Sequence, residues 1–528
     1  MQINRAFPGK KIALSAIFIV IIFTPAFAGP GDFNIDGTYE AALDLPRILF
    51  LLKRDPNGPA LDYLGDFVPV MAFLDTGASG ILLSKETAEA LGVSTHPTAQ
   101  YADIGVGGIE FFDISEPLYI AVNTLDDPSY DNPDHYHLLS GPWRFQVSKD
   151  YAPWYSEAID ILGVPMMAGK VIVLDARGPS NLDYFMADIK EPNDAAIPSA
   201  DFNVPLRFEK YITPSNPNNI PPLPILAYNP VIDNVTIEYN GSASTGTWLF
   251  DTGATISLIS TNQGQVLGLV DSNSNPLITP DFYVPLGGIG GSVDVPGFQI
   301  DSLTVPTLAG YNMVFENARI GVHDIGFTDE DTGQQIILDG IFGSNFLCAT
   351  MNLDTWNLAD TPFYRIIIDM EKAILGFDVL GIYQLPICGD AYHTKPAGDI
   401  TNDCRVNYYD IFALNENWLR NDCNSGNDFC NSADMNQNGS VDVEDYVLLA
   451  NHWRESAFLK TCGDIDHPWP EGDFNRDCRV DMHDLQILAR EWLNSCDALN
   501  WNCRGTDLYR DGSSNLKDYS EFADNFNE

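Results

Sequence analysis

Two copies of an Asp-Thr-Gly sequence contain the residues best suited to carry out chemistry. Asp75 and Asp251 each lie between two apolar runs. Hydrolysis of an amide bond needs a base that activates water and an acid that protonates the departing group. Two carboxyl groups about 3 Å apart share one proton, so one acts as base and the other as acid. The two aspartates are therefore candidates for a catalytic pair.

The sequence around both aspartates is duplicated. Phe73–Ser79 matches Leu249–Thr255, and a glycine-rich stretch and then an apolar-apolar-Gly triplet follow each copy in the same order. The glycine-rich stretches are Gly105–Ile109 and Gly287–Gly291, and the triplets are Ile161–Gly163 and Ile341–Gly343. This order predicts two copies of one lobe, each of which supplies one aspartate. A third Asp-Thr-Gly, at Asp331, has no apolar run before it and predicts a surface turn.

The elements around the aspartates are predicted to be mainly strands. β-branched and alternating runs recur at 170–174, 234–239 and 366–377, with Gly and Pro at short intervals between them. The polar stretch 191–200 predicts the boundary between the lobes.

These residues resemble the aspartic protease superfamily, whose pepsin-like members have two lobes in one chain. The resemblance implies six-stranded-barrel-like lobes, a catalytic water between Asp75 and Asp251, and no cofactor for catalysis. It implies that the glycine-rich stretches are flap hairpins over the site and that the two triplets pack behind the aspartates. The site residues that it implies are Asp75, Thr76, Gly77, Asp251, Thr252 and Gly253.

Four Asp-rich loops near the C-terminus have the spacing of calcium-binding loops. In the second, oxygen-bearing side chains fall at positions 1, 3, 5, 9 and 12, with Gly439 at position 6 for the bend. Cys404 and Cys478 replace that glycine in the first and third loops, and Tyr509 at position 3 predicts that the fourth binds most weakly. The candidate ligands are Asp399, Thr401, Asp403, Asn407 and Asp410; Asp434, Asn436, Asn438, Ser440, Asp442 and Asp445; Asp473, Asn475, Asp477, Asp481 and Asp484; Asp507, Asp511, Asn515 and Asp518. A fifth candidate, Asp32–Gly37, has Leu43 at position 12 and predicts an ordinary turn.

Eight cysteines accompany these loops in two sets of four with similar spacing, which predicts a duplicated module with two disulfides per copy. The sets are Cys388, Cys404, Cys423 and Cys430, then Cys462, Cys478, Cys496 and Cys503. Three pairings are open for each set. The remaining cysteine, Cys348, is predicted to be a small buried residue.

Paired loops with Asp at position 12, each followed by one short helix, resemble dockerin modules. The resemblance implies Ca²⁺ as a structural ion and a cohesin-like or cell-surface partner.

The predicted organisation is a signal peptide at 1–28, lobes at 29–197 and 198–385, and small α-helical modules at 386–456 and 457–528.

The N-terminus predicts export. Basic residues, an apolar run at 12–23 and Ala26-Phe27-Ala28 form a secretory signal, and no later segment is predicted to span a membrane. The net charge of −45 argues against a nucleic acid partner.

Taken together, these features predict a secreted, monomeric aspartic endopeptidase that acts on peptides or proteins and is tethered by its dockerin-like modules. A catalytically inactive extracellular peptide-binding or cell-surface protein on the same fold is the alternative, and a carbohydrate-degrading enzyme is a more distant one.

Overall fold

A computed structural model of the protein describes residues 32–124, 127–152, 158–176, 185–211, 218–309, 311–328, 335–380, 389, 394–455, 457 and 468–526. The predicted signal peptide, the Asp-Thr-Gly at 331–333, Cys388 and Cys462 lie outside these residues. Strands fill the described chain up to Val379 and helices follow from Tyr408 onward, which confirms a mainly β protein with a helical C-terminal region.

The strands of the first half are β1 (Phe33–Ile35), β2 (Ala41–Ala42), β3 (Arg47–Lys53), β4 (Val70–Leu74), β5 (Ile81–Leu83), β6 (Thr95–Gly105), β7 (Gly108–Ser115), β8 (Leu118–Asn123), β9 (His137–Trp143), β10 (Gln146–Val147), β11 (Ile161–Leu162), β12 (Val171–Asp175), β13 (Met186–Lys190), β14 (Phe202–Pro205) and β15 (Arg207–Glu209). Those of the second half are β16 (Asn229–Tyr239), β17 (Ser242–Asp251), β18 (Leu258–Ile259), β19 (Phe282–Gly288), β20 (Gly291–Gln299), β21 (Ser302–Pro306), β22 (Asn312–Glu316), β23 (Arg319–Val322), β24 (Gly326–Thr328), β25 (Gln335–Ile337), β26 (Gly340–Gly343), β27 (Thr350–Met351), β28 (Leu358–Ala359), β29 (Phe363–Asp369) and β30 (Ile374–Val379). The helices are α1 (Lys85–Ala90), α2 (Val164–Met167), α3 (Thr261–Val266), α4 (Tyr408–Glu416), α5 (Asp428–Asn431), α6 (Val443–Asn451), α7 (Met482–Arg490), α8 (Trp501–Arg504) and α9 (Leu516–Asn525).

The strands next to each aspartate are arranged in the same way in both halves. β4 ends directly before Asp75, and β17 ends at Asp251. β4 lies parallel to β11, which lies antiparallel to β5, and β17, β26 and β18 repeat this pattern. Since Leu74, Leu162 and Phe250 are fully buried, apolar packing fixes the point at which each strand presents its aspartate.

The two halves exchange strands. A 14-stranded sheet contains most first-half strands, but its order β14-β30-β29-β12-β13-β3 includes two strands from the end of the second half. In return, β1 and β15 join the 11-stranded sheet of the second half, where β1 pairs in parallel with β22 and β15 pairs antiparallel with β16. Residues 33–35 are therefore a strand, and the turn expected at Asp32–Gly37 is wrong. The apolar side chains of Phe33 and Ile35 belong to the main core, and the burial of this apolar surface favours the strand.

The main hydrophobic core runs through both halves. It includes buried side chains from both sheets, and the rings of Phe33, Phe377 and Tyr311 all lie against Phe202. Cys348 is buried, as predicted, and forms no disulfide. The shared core and the exchanged strands join the halves into one unit.

Each C-terminal module has its own small core. Leu414, Leu449 and Val441 pack in the first module, and Phe474, Leu488 and Phe522 pack in the second. The short helices predicted to follow the second and third Asp-rich loops are α6 and α7, which begin at Val443 and Met482.

A disulfide encloses a left-handed turn in each module. Cys423 bonds to Cys430, and Cys496 bonds to Cys503. Positive φ angles run through 428–432 and 501–504 within or next to these disulfide loops. Because non-glycine residues rarely adopt this conformation, the short covalent loop helps to hold it. Cys404 and Cys478 are also disulfide-bonded.

The second module packs against the β-sheet part of the protein. The ring centroid of Trp501 lies 5.2 Å from that of Phe208 on β15, and the Tyr228 N–H donates to the Leu499 carbonyl at 2.8 Å. Arg504 pairs with Glu209, and Arg476 donates to the Leu206 carbonyl. Apolar, charged and backbone contacts thus fix this module to the sheets. Among the described helices, none is long and apolar enough to cross a membrane.

Candidate active site and calcium loops

The structure brings Asp75 and Asp251 together. Their carboxyl groups share a hydrogen bond. In each, Oδ1 also accepts two backbone N–H groups from the turn that follows: Gly77 and Ala78 at 2.8 and 3.0 Å, and Gly253 and Ala254 at 2.9 and 3.1 Å. The two turns therefore hold their carboxyl groups in the same way, next to each other.

The predicted threonines interlock across the junction. Thr76 donates its hydroxyl to the Phe250 carbonyl at 2.7 Å and accepts the Thr252 N–H at 3.0 Å. In turn, Thr252 donates its hydroxyl to the Leu74 carbonyl at 2.7 Å and accepts the Thr76 N–H at 3.1 Å. All four bonds are buried, where an unmade bond is costly. The two aspartate turns are therefore held as one rigid piece.

Gly77 and Gly253 permit the contact between the carboxyl groups. A Cβ at Gly77 would lie 2.4 Å from Cγ of Asp251, and one at Gly253 would lie 2.4 Å from Cγ of Asp75. No real Cβ tolerates that distance, so each glycine makes room for the aspartate of the other half.

Burial and mutual repulsion change how this pair ionises. Burial raises the pKa of Asp75. Burial, followed by the negative charge of Asp75, raises the pKa of Asp251 well above its usual range. Because two adjacent buried carboxylates cannot both be charged at low cost, the pair retains one proton at pH values where exposed aspartates are ionised.

Two residues that the sequence did not indicate support the turns. The Asn229 side chain donates to the carbonyls of Thr76 and Gly77 at 3.1 and 2.9 Å, and it accepts the Ser79 hydroxyl at 2.6 Å. In the other half, Ser344 donates its hydroxyl to the Thr252 carbonyl at 2.9 Å. The support is thus different on the two sides, although the aspartates are arranged alike.

A cavity of about 370 Å³ lies over the pair. Both glycine-rich stretches are hairpin tips on its wall: β6 and β7 form one hairpin, and β19 and β20 form the other. The tips touch, since the Gly107 N–H donates to the Ile289 carbonyl at 2.9 Å, and a Cβ at Gly107 would lie 2.2 Å from Gly291 N. Two hairpins therefore cover the aspartates together.

A third carboxyl group, that of Asp103 on β6, lines the same cavity. Burial raises the pKa of Asp103, and the negative charges of Glu110 and Asp75 add to this effect. Sequence reasoning missed this residue, because an isolated Asp beside a glycine-rich tip is common on exposed hairpins.

The four Asp-rich loops share one hydrogen-bond pattern. In each, the position-1 aspartate accepts the N–H groups of positions 5 and 6, as Asp434 does from Asn438 and Gly439 at 3.0 and 2.9 Å. The position-12 aspartate accepts the N–H of position 9 through Oδ2, as Asp445 does from Asp442 at 2.9 Å. The equivalent position-1 and position-12 residues are Asp399 and Asp410, Asp473 and Asp484, and Asp507 and Asp518.

The donor set of the first loop fits calcium. Carboxylate oxygens of Asp399, Asp403 and Asp410 lie within 4.8 Å of one another, and oxygens about 2.4 Å from one ion can be that far apart. The hydroxyl of Thr401 lies beside them, 3.0 Å from Asp410, and the side chain of Asn407 reaches Asp403 at 3.3 Å.

The third loop brings together Asp477, Asp481 and, in addition, His483, while Asn475 donates to Asp477 at 3.0 Å. In the second loop, Asn436 and Asn438 lie near one another and near Glu444, and the Ser440 N–H donates to the Asn438 side chain at 2.9 Å. A further group, Asp422 with Cys423 and Cys430, does not fit a metal because its sulfur atoms form a disulfide.

Position 6 of each loop requires a left-handed backbone. Its φ is +96° at Gly439 and +88° at Gly512, and it is +65° at Cys404 and +71° at Cys478. Glycine adopts this conformation without strain, whereas the two cysteines are disulfide-bonded. Where glycine is absent, a disulfide therefore helps to restrain the bend.

The fourth loop contains a competing cation. Lys517 Nζ lies 2.6 Å from Oδ2 of Asp511, one of the predicted ligands, while the side chain of Asn515 also contacts Asp511, at 3.2 Å. With Tyr509 at position 3, where the other loops have Thr401, Asn436 and Asn475, this loop has fewer side-chain oxygens of the predicted ligand types than the other three.

Comparison with known proteins identifies one region. The family model "Dockerin type I domain" matches residues 397–453. No curated protein matches the chain. A solved structure that it resembles, conglutin gamma, described as a unique basic 7S globulin from lupine seeds, is 10% identical, with 64% of this chain and 96% of that chain covered and a TM-score of 0.29. Dockerin domains bind Ca²⁺, so the match supports calcium binding by the loops at Asp399 and Asp434, and residues 397–453 are a dockerin type I domain.

Proposed function

We propose that the β-sheet part of this protein is an aspartic-type endopeptidase with two lobes, held outside the membrane by its dockerin modules. The observation that carries the proposal is the buried, hydrogen-bonded pair of Asp75 and Asp251 beneath a covered cavity. A pair with one retained proton has both an acid and a base at the same point.

The pair's chemistry follows from its protonation. The ionised carboxylate takes a proton from water, the resulting hydroxide attacks the peptide carbonyl carbon, and the protonated carboxyl donates to the carbonyl oxygen. Collapse of the tetrahedral intermediate breaks the C–N bond: one of its hydroxyl groups returns a proton to the ionised carboxylate as the C=O bond re-forms, and the amine leaves with the proton of the other carboxyl group. The products are a carboxylic acid and an amine, and the pair returns to one proton.

The separation of the carboxyl groups argues against glycoside hydrolysis. Glycosidases hold their two carboxyl groups roughly 5 Å or more apart to fit a sugar or a water between them. Here the two groups are in hydrogen-bond contact. This close pair, in a cavity covered by two hairpins, suits an extended peptide substrate better than a glycoside.

The dockerin domain at 397–453 supports calcium-dependent attachment to a cohesin. We propose that the second module is also dockerin-like, because its loops repeat the hydrogen bonds of the first. Such attachment agrees with the secretory signal predicted at 1–28 and with a location outside the cytoplasmic membrane.

The test is cleavage of a denatured protein by the purified calcium-loaded chain between pH 3 and 7, with and without a transition-state-like peptide inhibitor. Asp251→Asn and Asp75→Asn are each expected to lower the rate by about 100-fold or more. Asp271→Asn, which removes an exposed carboxylate from the same half, is the matched control and keeps its activity.

Each outcome has a defined meaning. If the folded parent cleaves nothing at any pH but binds peptides, the protein is the inactive peptide-binding alternative. If both dyad variants cleave as fast as the parent, the pair has no catalytic role.

A further inference from the structure

The cavity over the aspartate pair is acidic beyond the pair itself. Among the described residues that line it, three carry carboxyl groups, Asp75, Asp103 and Asp251, and none is Lys, Arg or His. The proposed hydrolysis uses Asp75 and Asp251 as a pair. The carboxyl group of Asp103 has no role in that reaction.

Neutral groups hold Asp103 in place. Its Oδ1 accepts the Ile104 N–H at 2.9 Å, and its Oδ2 accepts the side-chain N–H of Gln146 at 3.1 Å. Gln146 is itself buried, and it fits because Gly80 has no side chain: a Cβ there would lie 2.8 Å from Gln146 Nε2. These bonds orient the carboxylate but bring no positive charge to it.

The neighbours of Asp103 add further negative charge. Its cross-strand partner on β7 is Glu110, which is also acidic and accepts the Gly290 N–H of the opposite hairpin at 3.1 Å. The negative charges of Glu110 and Asp75 act on Asp103. A positively charged group bound to Asp103 would therefore also be attracted by the negative charges that act on this carboxyl group.

We propose that Asp103 is a specificity residue that binds a cationic side chain, Lys or Arg, of the substrate close to the bond that is cut. This rests on the proposed endopeptidase function and names its substrate class. A charged hydrogen bond is stronger than a neutral one and gains further strength when water is excluded. The apolar walls near Asp103, which include Ile104 and Leu82, suit the methylene stem of such a side chain.

The test uses peptides that differ only in charge. Matched peptides carry lysine or norleucine at the positions on either side of the bond that is cut, and kcat/KM is measured for both. The parent is expected to prefer the lysine peptide by tenfold or more at one position. Asp103→Asn is expected to reduce this ratio at least tenfold.

The control is Asp113→Asn, which removes the same charge from the same hairpin at an exposed site 3.7 Å from Lys149. It is expected to keep the parent's ratio. A role of Asp103 in folding alone would lower both rates together and leave the ratio unchanged, which would overturn the proposal. A parent that cuts both peptides equally well would also overturn it, with the endopeptidase function intact.

A second measurement separates failure of the proposal from failure of the catalytic function. The same two peptides are titrated into Asp251→Asn and into Asp251→Asn with Asp103→Asn, and binding is followed by fluorescence anisotropy. Preferential binding of the lysine peptide that is lost in the double variant supports the role of Asp103, even if the parent cuts nothing. Equal binding of both peptides to Asp251→Asn contradicts it.

Discussion

Single residues determine whether the two aspartates can share one proton. The carboxyl group of Asp251 occupies the space that a Cβ on Gly77 would need. In the same way, the carboxyl group of Asp75 occupies the space that a Cβ on Gly253 would need. The motif's glycine is thus needed by the opposite copy, as well as by its own tight turn. A requirement of this kind appears only when both copies are seen together.

The buried pair makes stability depend on pH with a definite sign. The pKa values of both aspartates are raised in the folded protein. Their contribution to stability is therefore fully present below the unfolded value of about 3.9 and is lost as the pH rises through the folded values.

The Asp251→Asn variant is expected not to lose stability in this way as the pH rises. We expect its Tm to exceed that of the parent by about 2 °C or more at pH 7 and the difference to shrink towards pH 4. Thermal unfolding of both proteins across this pH range measures it. Asp271→Asn, whose pKa is lowered by hydrogen bonds from Asn275 and Asn273, must not show this rise. A Tm difference that does not change with pH would contradict the expected loss of stability at higher pH.

At the scale of elements, the four Asp-rich loops have the same backbone hydrogen bonds but different side chains. Each position-12 aspartate is buried and also caps the following helix from the N3 position of a capping box. The carboxylate predicted to bind the ion is therefore also the one that caps the helix. Burial raises the pKa of Asp473 to about 6, a cost to the charged form that a bound cation would offset.

The fourth loop has a built-in competitor, Lys517, and its removal is expected to strengthen calcium binding. Lys517→Gln frees the Oδ2 of Asp511 from a cation 2.6 Å away, and because this ion pair is exposed, we expect the weakest calcium-binding step to tighten about two- to fivefold. Calorimetric titration of the full chain measures this step.

Lys372→Gln, which removes the same charge from an exposed site in the β-sheet part, is the matched control and must leave calcium binding unchanged. If the weakest step is the same in Lys517→Gln and the parent, then the lysine does not compete for the loop.

Sequence patterns predicted these local structures well, but the long-range contacts only where the sequence is duplicated, at the two Asp-Thr-Gly turns. A calcium loop is set by oxygen side chains within twelve residues, so its position and its following helix could be read directly. Asp103 and Gln146, by contrast, are 43 residues apart, and their contact depends on how β10 lies against β7. The strand at Phe33–Ile35 was missed because its partner, β22, lies far along the chain.

At the scale of the whole molecule, the two modules differ in how they meet the β-sheet part. Trp501 and Leu499 of the second module pack against the main core. The face of α4 in the first module exposes Tyr408, Tyr409 and Phe412. The domain match at 397–453 falls on this first module, whereas it is the second module whose Trp501 and Arg504 contact Phe208 and Glu209 of the β-sheet part.

Trp501 is expected to hold the second module in place. Its ring packs on Phe208 and lies 5.7 Å from the Arg476 guanidinium. Trp501→Ala removes this packing and is expected to cost about 2–4 kcal/mol of local stability. The Tyr228 N–H, which donates to Leu499 across the contact, should then exchange with solvent at least tenfold faster.

Hydrogen exchange measures this directly. Trp418→Ala, which removes a partly exposed tryptophan from the first module, is the control and should leave the Tyr228 amide protected. Equal protection of Tyr228 in Trp501→Ala and the parent would show that Trp501 does not hold the contact.

The exchanged strands also determine at what point of its synthesis the protein can assemble the carboxyl pair. β12 lies between β13 and β29, and β29 spans Phe363–Asp369 near the end of the β-sheet part. Every described residue that lines the cavity is translated before β29 and β30. A nascent chain therefore has both aspartates long before the sheet that unites the halves can close, and such distant pairing is slow. We expect the carboxyl pair to assemble only after residue 379 has left the ribosome, so that interrupted or clipped chains carry both aspartates but no assembled pair.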